Sequence, residues 1–282
     1  MDKGMFMKII TDTAALIPPC EGERYGMTVI PVSVTIGERS YEDYNEMSSA
    51  AFLEHIAQGC VPSSSQPAIG DILEVLDATD EEVLMITVGD GLSGAYQSAV
   101  AARNLTQQPQ RIHVMNSKTL AGPLRYMAMK AVALKEQGLG LEEVKSALTE
   151  TIDSSISFVI PEDFGFLQRS GRLAPFTAKI GGTLKLLPIL TQTADKTRIT
   201  PVGVRRTWKA AVELTAQKLR CFGVGKNHLI SVSHAGAYER GTEVLEQLKA
   251  WFPETECELL ELSPALITHG GPGCIAIQAV RK

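Results

Sequence analysis

Residues 83–98, VLMITVGDGLSGAYQS, constrain the fold more than any other stretch of the chain. Val83–Val88 is an unbroken run of apolar and β-branched residues, the pattern of a strand buried on both faces of a parallel sheet. It enters a turn that reads Gly89-x-Gly91-x-x-Gly94, with Ser93 inside it. An Ala-rich helical pattern then runs from about Gly94 to Leu105. A strand that ends in a glycine turn at a helix start aims backbone N–H groups at one point. The helix dipole adds partial positive charge there, so the turn suits an anionic group.

The flanking segments repeat the alternation. Lys8–Thr13 and Arg111–Met115 read as further buried strands, and Leu120–Gln137 and Leu141–Ile152 as helices. Ser48 or Ser49 caps a helix that runs to about Gln58, and Pro67 suits the first turn of a helix over Ala68–Ala78. Thr28–Ile36 is β-rich, with Pro31 marking an edge or bulge, and Ser63–Gln66 reads as a loop of hydroxyls between prolines. Strands alternating with helices imply an α/β domain with a parallel, Rossmann-like sheet, and ligands in such sheets sit beyond the carboxyl ends of the strands. The loops after Ile10, Val88 and Met115 are therefore expected on one edge.

Near residue 154 the pattern changes. Leu187–Thr193 and Thr197–Val204 form a hairpin pattern, and Trp208–Phe222 and Tyr238–Trp251 read as helices among short strands. Two domains are expected: an N-terminal α/β domain over 1–153 and a C-terminal α+β domain with mixed or antiparallel strands over 154–282.

Charge and composition exclude several classes. A net charge of −5 gives no basic footprint for nucleic acid. Five cysteines without a CxxC spacing are neither a disulfide framework nor a zinc site. With no signal-peptide core at the N-terminus and no run of about 18 apolar residues, a cytoplasmic chain without a membrane segment is expected. No HExxH or His/Cys cluster marks a metal site. Gly223–Asn227 mimics only the tail of a phosphate-binding P-loop, with Asn227 where Ser or Thr belongs.

Three readings of the glycine turn stay open on these residues. A dinucleotide site would need an acid at the end of the next strand for the ribose, and that strand ends in Met115-Asn116-Ser117. An acyl hydrolase would use Ser93 with His269, the one histidine in a glycine-rich loop (Thr268–Gly273), but no third group is identifiable. Hydroxyls at Ser64, Ser65 and Ser93, the backbone of Gly94 and the imidazole of His269 also suit a carboxylate ligand held without chemistry, with Arg172 as a source of positive charge.

The segments Thr11–Ala14, Pro62–Pro67, Gly91–Ala99, Leu167–Leu173, Leu187–Leu190 and Thr268–Gly273 occur in an order that resembles the DegV family of fatty-acid-binding proteins, from about Lys8 to Val280. The resemblance implies a carrier with no cofactor and no catalytic residue of its own. It implies a long-chain fatty acid whose carboxylate is held at Ser64, Ser65, Ser93, Gly94 and His269. It further implies a separate fatty acid kinase subunit that phosphorylates the acyl group with ATP for phospholipid synthesis, with Arg172 in that interaction. Phe158–Ile160, Phe164–Leu167, Ile180–Leu190 and Leu266-Ile267 are the expected tail-lining segments. Three positions depart from the family pattern. Ser64 replaces a threonine, Ser170 a glycine and Asp90 a serine. A carboxylate at Asp90 would repel an anion, so its side chain is expected to point away from the site.

Overall fold

The computed structural model describes residues 7–175 and 186–282. Its first sheet has the order β2-β1-β6-β7, all parallel: β1 (Met7–Asp12), β2 (Met27–Ile30), β6 (Glu82–Thr87) and β7 (Ile112–Asn116). Side chains alternate across the pleat. Ile9, Leu84 and Ile86 face α5 (Ala121–Glu136) and α6 (Leu141–Asp153). Ile10, Val83 and Met85 face α3 (Ile69–Asp77) and α4 (Ala95–Leu105). Burial on both faces is why these strands read as continuous apolar runs. Their carboxyl ends share one edge: Asp12 accepts from the Ala14 and Val88 N–H groups at 3.0 Å each, and Asn116 Oδ1 accepts from Asp90 N at 3.1 Å.

The chain leaves this sheet at Pro31. The β-rich segment expected over Thr28–Ile36 is two strands in two sheets, because proline has no N–H for the ladder. Past it, β3 (Ser33–Ile36) pairs antiparallel with β4 (Arg39–Glu42) and β5 (Ser63–Ser65). The serine triplet is therefore a strand rather than a loop. Two more helices belong to this half: α1 (Pro19–Arg24), and α2 (Ser49–Ala57), which the Ser48 hydroxyl caps by accepting from Ala51 N.

The second sheet has the order β10-β9-β8-β13-β11-β12. Its strands are β8 (Ile156–Ile160), β9 (Leu187–Gln192), β10 (Ile199–Arg205), β11 (His228–His234), β12 (Glu256–Glu261) and β13 (Ile275–Arg281), antiparallel except for the parallel β11–β12 pair. Together with the first sheet this makes the mixed α/β fold expected from the sequence. Phe158, Ile160, Ile230, Val232, Ile275 and Ile277 face α8 (Trp208–Phe222) and α9 (Tyr238–Trp251) across a dry core. The opposite face carries smaller or polar residues, Ser157, Ser231, Ala276 and Gln278, and it meets the first half. There the Gln278 amide accepts from Gly122 N and donates to Leu120 O.

Two short helices complete the described residues: α7 (Phe164–Ser170) and α10 (Pro264–Gly270). A third core interlocks the halves, with Val34 and Phe52 of the first packed against Leu262, Ala265 and Ile267 of the second.

Gly122 sets how closely the halves approach, since a Cβ there would collide with the Ser231 side chain. Gly122→Ala is expected to destabilise the protein by about 1–3 kcal/mol through overpacking, read as a lower urea midpoint with an unchanged m-value.

Candidate functional site

The carboxyl-end loops of β1 and β6 face α10 and the small-residue face of the second sheet. Between them lies a cavity of about 1100 Å³, counting its open mouth. Much of the wall is apolar and short: Ala14, Val32, Ala121, Val159, Ala265 and Ala276. Ser64, Ser93, Arg172 and His269 contribute polar groups to it, and Ser157, Thr191, Gln192 and Gln278 contribute others.

Each of these side chains is positioned by its element. In β5, Ser64 sits opposite Val34, so its hydroxyl shares the buried face of that strand. Ser64 Oγ lies 2.8 Å from His269 Nε2, a link between residues 205 apart in sequence. His269 is in the last turn of α10, not in a loop, and the chain turns at Gly271 with φ 78°. Burial, assisted by the nearby Arg172 guanidinium, pushes the His269 pKa down to about 4. The imidazole is therefore neutral at pH 7, and the positive charge at the mouth is carried by Arg172. That guanidinium donates through Nε to Leu92 O at 3.0 Å and through Nη1 to Ser170 O. Burial lowers the Arg172 pKa from its ordinary value, and arginine keeps its charge nonetheless.

The glycine turn works differently from the sequence expectation. Its N–H groups are largely used within the protein: Gly89 N donates to Thr119 O, Leu92 N and Ser93 N to Gly89 O, and Gly91 N to the Asp90 carboxylate. What it offers the cavity is the Ser93 hydroxyl, which accepts from Ala95 N at 3.2 Å and keeps its own hydrogen to donate. Asp90 is absent from the wall, and its carboxylate is held by Gly91 N and the Gln97 amide, directed away as expected. Gly94 is also absent from the wall. It backs onto the Gln66 side chain, which does line the cavity, and a Cβ there would sit 3.0 Å from the Gln66 amide carbon. Ser65 borders the cavity from the more exposed face of β5.

The sequence reading placed the apolar lining in the second half, and the resemblance implied a fatty acid either between the two domains or inside the second. Phe158, Val159, Leu167 and Leu266 do line the cavity, whereas Ile160 and Ile267 pack into cores on other faces. Residues 180–185 of the expected lining lie outside the described residues. The first half contributes Ala14, Val32, Val88, Leu92, Leu120 and Ala121, so the cavity lies between the halves. Long-range packing created that position, and no local pattern announced it.

A serine–histidine pair is present, but it joins His269 to Ser64 rather than to Ser93. Among the described residues the charged group that bears on His269 is a cation, and no carboxylate orients the ring. A pKa near 4 also makes a weak general base at neutral pH. No group of acids, histidines and cysteines among the described residues could hold a metal ion, and no helix there is long and apolar enough to cross a membrane.

Fold and site together define an α/β protein in which two sheets clamp an apolar cavity under a cluster of hydroxyls, an arginine and a neutral histidine. The chain belongs to the DegV family: the family model described as "Uncharacterised protein, DegV family" matches residues 7–282. A DegV domain-containing protein of Clostridium acetobutylicum is 29% identical over 283 residues, covering 97% of each chain. Among solved structures, a fatty-acid-binding DegV family protein from Thermus thermophilus superposes with a TM-score of 0.89 at 25% identity, over 99% of this chain and 100% of that one. The DegV protein of Bacillus subtilis, described as a fatty acid binding protein, gives 0.85 at 27% identity over 99% and 100%.

The depressed His269 pKa has a consequence for stability. The unfolded chain binds a proton at this residue below about pH 6.5, the folded chain only below about pH 4. Its contribution is thus fully present above pH 6.5 and is lost as pH falls towards 4. In His269→Gln, which does not titrate, that loss should vanish. The stability difference between wild type and variant should shift by roughly 2–3 kcal/mol between pH 7 and pH 4, measured by urea titration of the ligand-free protein at each pH.

Proposed function

We propose that this protein binds a long-chain fatty acid, with the acyl tail in the cavity and the carboxylate at the Ser64–Ser93–His269–Arg172 cluster. The observation that carries this reading is a cavity with a largely apolar wall to which Ser64, Ser93, His269 and Arg172 all turn polar groups. Relatives described as fatty acid binding support it. Burial of an acyl chain contributes about 0.8 kcal/mol per methylene, on the order of 10 kcal/mol for a chain of roughly 16 carbons. The tail supplies affinity and the mouth sets orientation.

At the mouth, a carboxylate favours the His269 tautomer with its proton on Nε2. Nε2–H then donates to Ser64 Oγ, and the Ser64 hydroxyl donates to the ligand. Ser93 donates a second hydroxyl, and Arg172 supplies the countercharge. Such a site holds an anion without reacting with it, which fits a carrier better than a hydrolase. The carrier presents its carboxylate to a separate kinase subunit that forms the acyl phosphate with ATP. Half-buried Arg172, at the mouth, is the residue through which that partner meets the head group.

Mass spectrometry of small molecules released from the denatured, purified protein should find stoichiometric fatty acid. A bound nucleotide in its place, or no lipid uptake on incubation with fatty acid, would overturn the proposal. Ser93→Ala and Ser64→Ala should each weaken binding by roughly ten- to a hundredfold, as expected for one hydrogen bond to a charged group at about 1.5–3 kcal/mol. Arg172→Ala should weaken lipid binding by a factor comparable to the serine variants, and at saturating lipid phosphoryl transfer by an added kinase subunit should still fall sharply.

A further inference from the structure

Outside the Ser64–Ser93–His269–Arg172 cluster, the cavity wall contains a further buried hydroxyl, that of Ser157. Ser157 lies in β8 opposite Gln278 of β13, and both line the cavity. Ser157 is 8% exposed and Gln278 2%. The Gln278 Nε2 group donates to Ser157 Oγ at 2.8 Å and to Leu120 O at 3.0 Å, while Oε1 accepts from Gly122 N at 3.2 Å.

The two backbone partners fix the orientation of the amide. Turned over, it would set its oxygen against the Leu120 carbonyl and its NH₂ against the Gly122 N–H. Ser157 therefore faces a donor, and its own hydrogen cannot go to Gln278. The neighbouring Thr191 hydroxyl is directed to the Ser157 backbone carbonyl at 2.8 Å. No acceptor for the Ser157 hydroxyl occurs among the described residues. A buried donor without a partner is costly, so an acceptor supplied by the ligand gains more here than at a hydrated surface.

We infer that Ser157 is a specificity determinant for acyl chains that carry an in-chain oxygen, a ketone or a hydroxyl, at the depth of β8. The inference rests on the fatty-acid reading of the cavity and adds a second polar contact on the cavity wall. Gln278 acts as a positioning residue: by donating to one Ser157 lone pair it excludes itself as the acceptor of the serine hydrogen, which stays available for the ligand. A ketone isolates that role, because it accepts and does not donate.

The test uses delipidated full-length protein and a series of oxo-octadecanoic acids with the carbonyl at successive positions, compared with octadecanoic acid by calorimetry or displacement of a fluorescent fatty acid. At one position, or two neighbouring ones, the oxo acid should bind at least about fivefold more tightly than its parent, and Ser157→Ala should reduce that ratio to one or below. The wild-type series decides without any variant: if every oxo isomer binds more weakly than the parent, the inference is overturned. A gain that persists in Ser157→Ala also overturns it. If the parent acid and all isomers fail to bind, the fatty-acid reading itself falls, a result distinct from the other two.

Discussion

The contact between the Gln278 amide and the amino end of α5 is the junction on which the rest of the structure depends. It is a polar contact in a buried place, and each of its donors is satisfied. It brings a helix of the first half against the second sheet at a point where Gly122 offers no side chain. Nearby, Ala14, Ala121, Ala265 and Ala276 are too short to fill the space between the same two surfaces. Close approach at one point and short side chains beside it leave a cavity where the outer face of the sheet has a dry core.

The mouth of that cavity follows the same logic. Ser64 arrives on a short strand of the third sheet, Ser93 on the turn after β6, His269 on α10 and Arg172 just after α7. Four elements from both halves converge, and hydrogen bonds hold them: Ser64 to His269, Arg172 to Leu92 O, Ser93 to the start of α4. Burial keeps the imidazole neutral and leaves the arginine as the charge. The arrangement is rich in donors and poor in bases, which separates holding an anion from cleaving an ester.

Much of this was legible from local pattern. Val83–Gly94 announced a buried strand, a tight turn and a helix start, and the expectation that Asp90 points away rested on the carboxylate site that the resemblance implies. Two local readings failed for identifiable reasons. The run Gly270-Gly-Pro-Gly273 looks like a loop, and α10 is too short for its periodicity to stand out, so His269 was assigned to the loop. Ser63–Ser65 has no apolar alternation, and it is a strand because β3 offers an edge to pair with, a tertiary fact.

The sequence by itself determined the elements, the class of fold and the residue types available for binding, because these depend on neighbours a few positions away. Tertiary structure alone decided that His269 pairs with Ser64 and not Ser93, that the cavity lies between the halves, and that the glycine turn contributes a hydroxyl while its N–H groups bond within the protein. It also decided that the Ser157 hydroxyl finds no acceptor among the described residues. The physical reason is shared by all but the glycine turn, whose N–H groups bond mostly within the turn itself. Hydrogen-bond partners and voids are set by which surfaces meet, and residues 64 and 269, or 157 and 278, meet only after the chain has closed loops of a hundred residues or more.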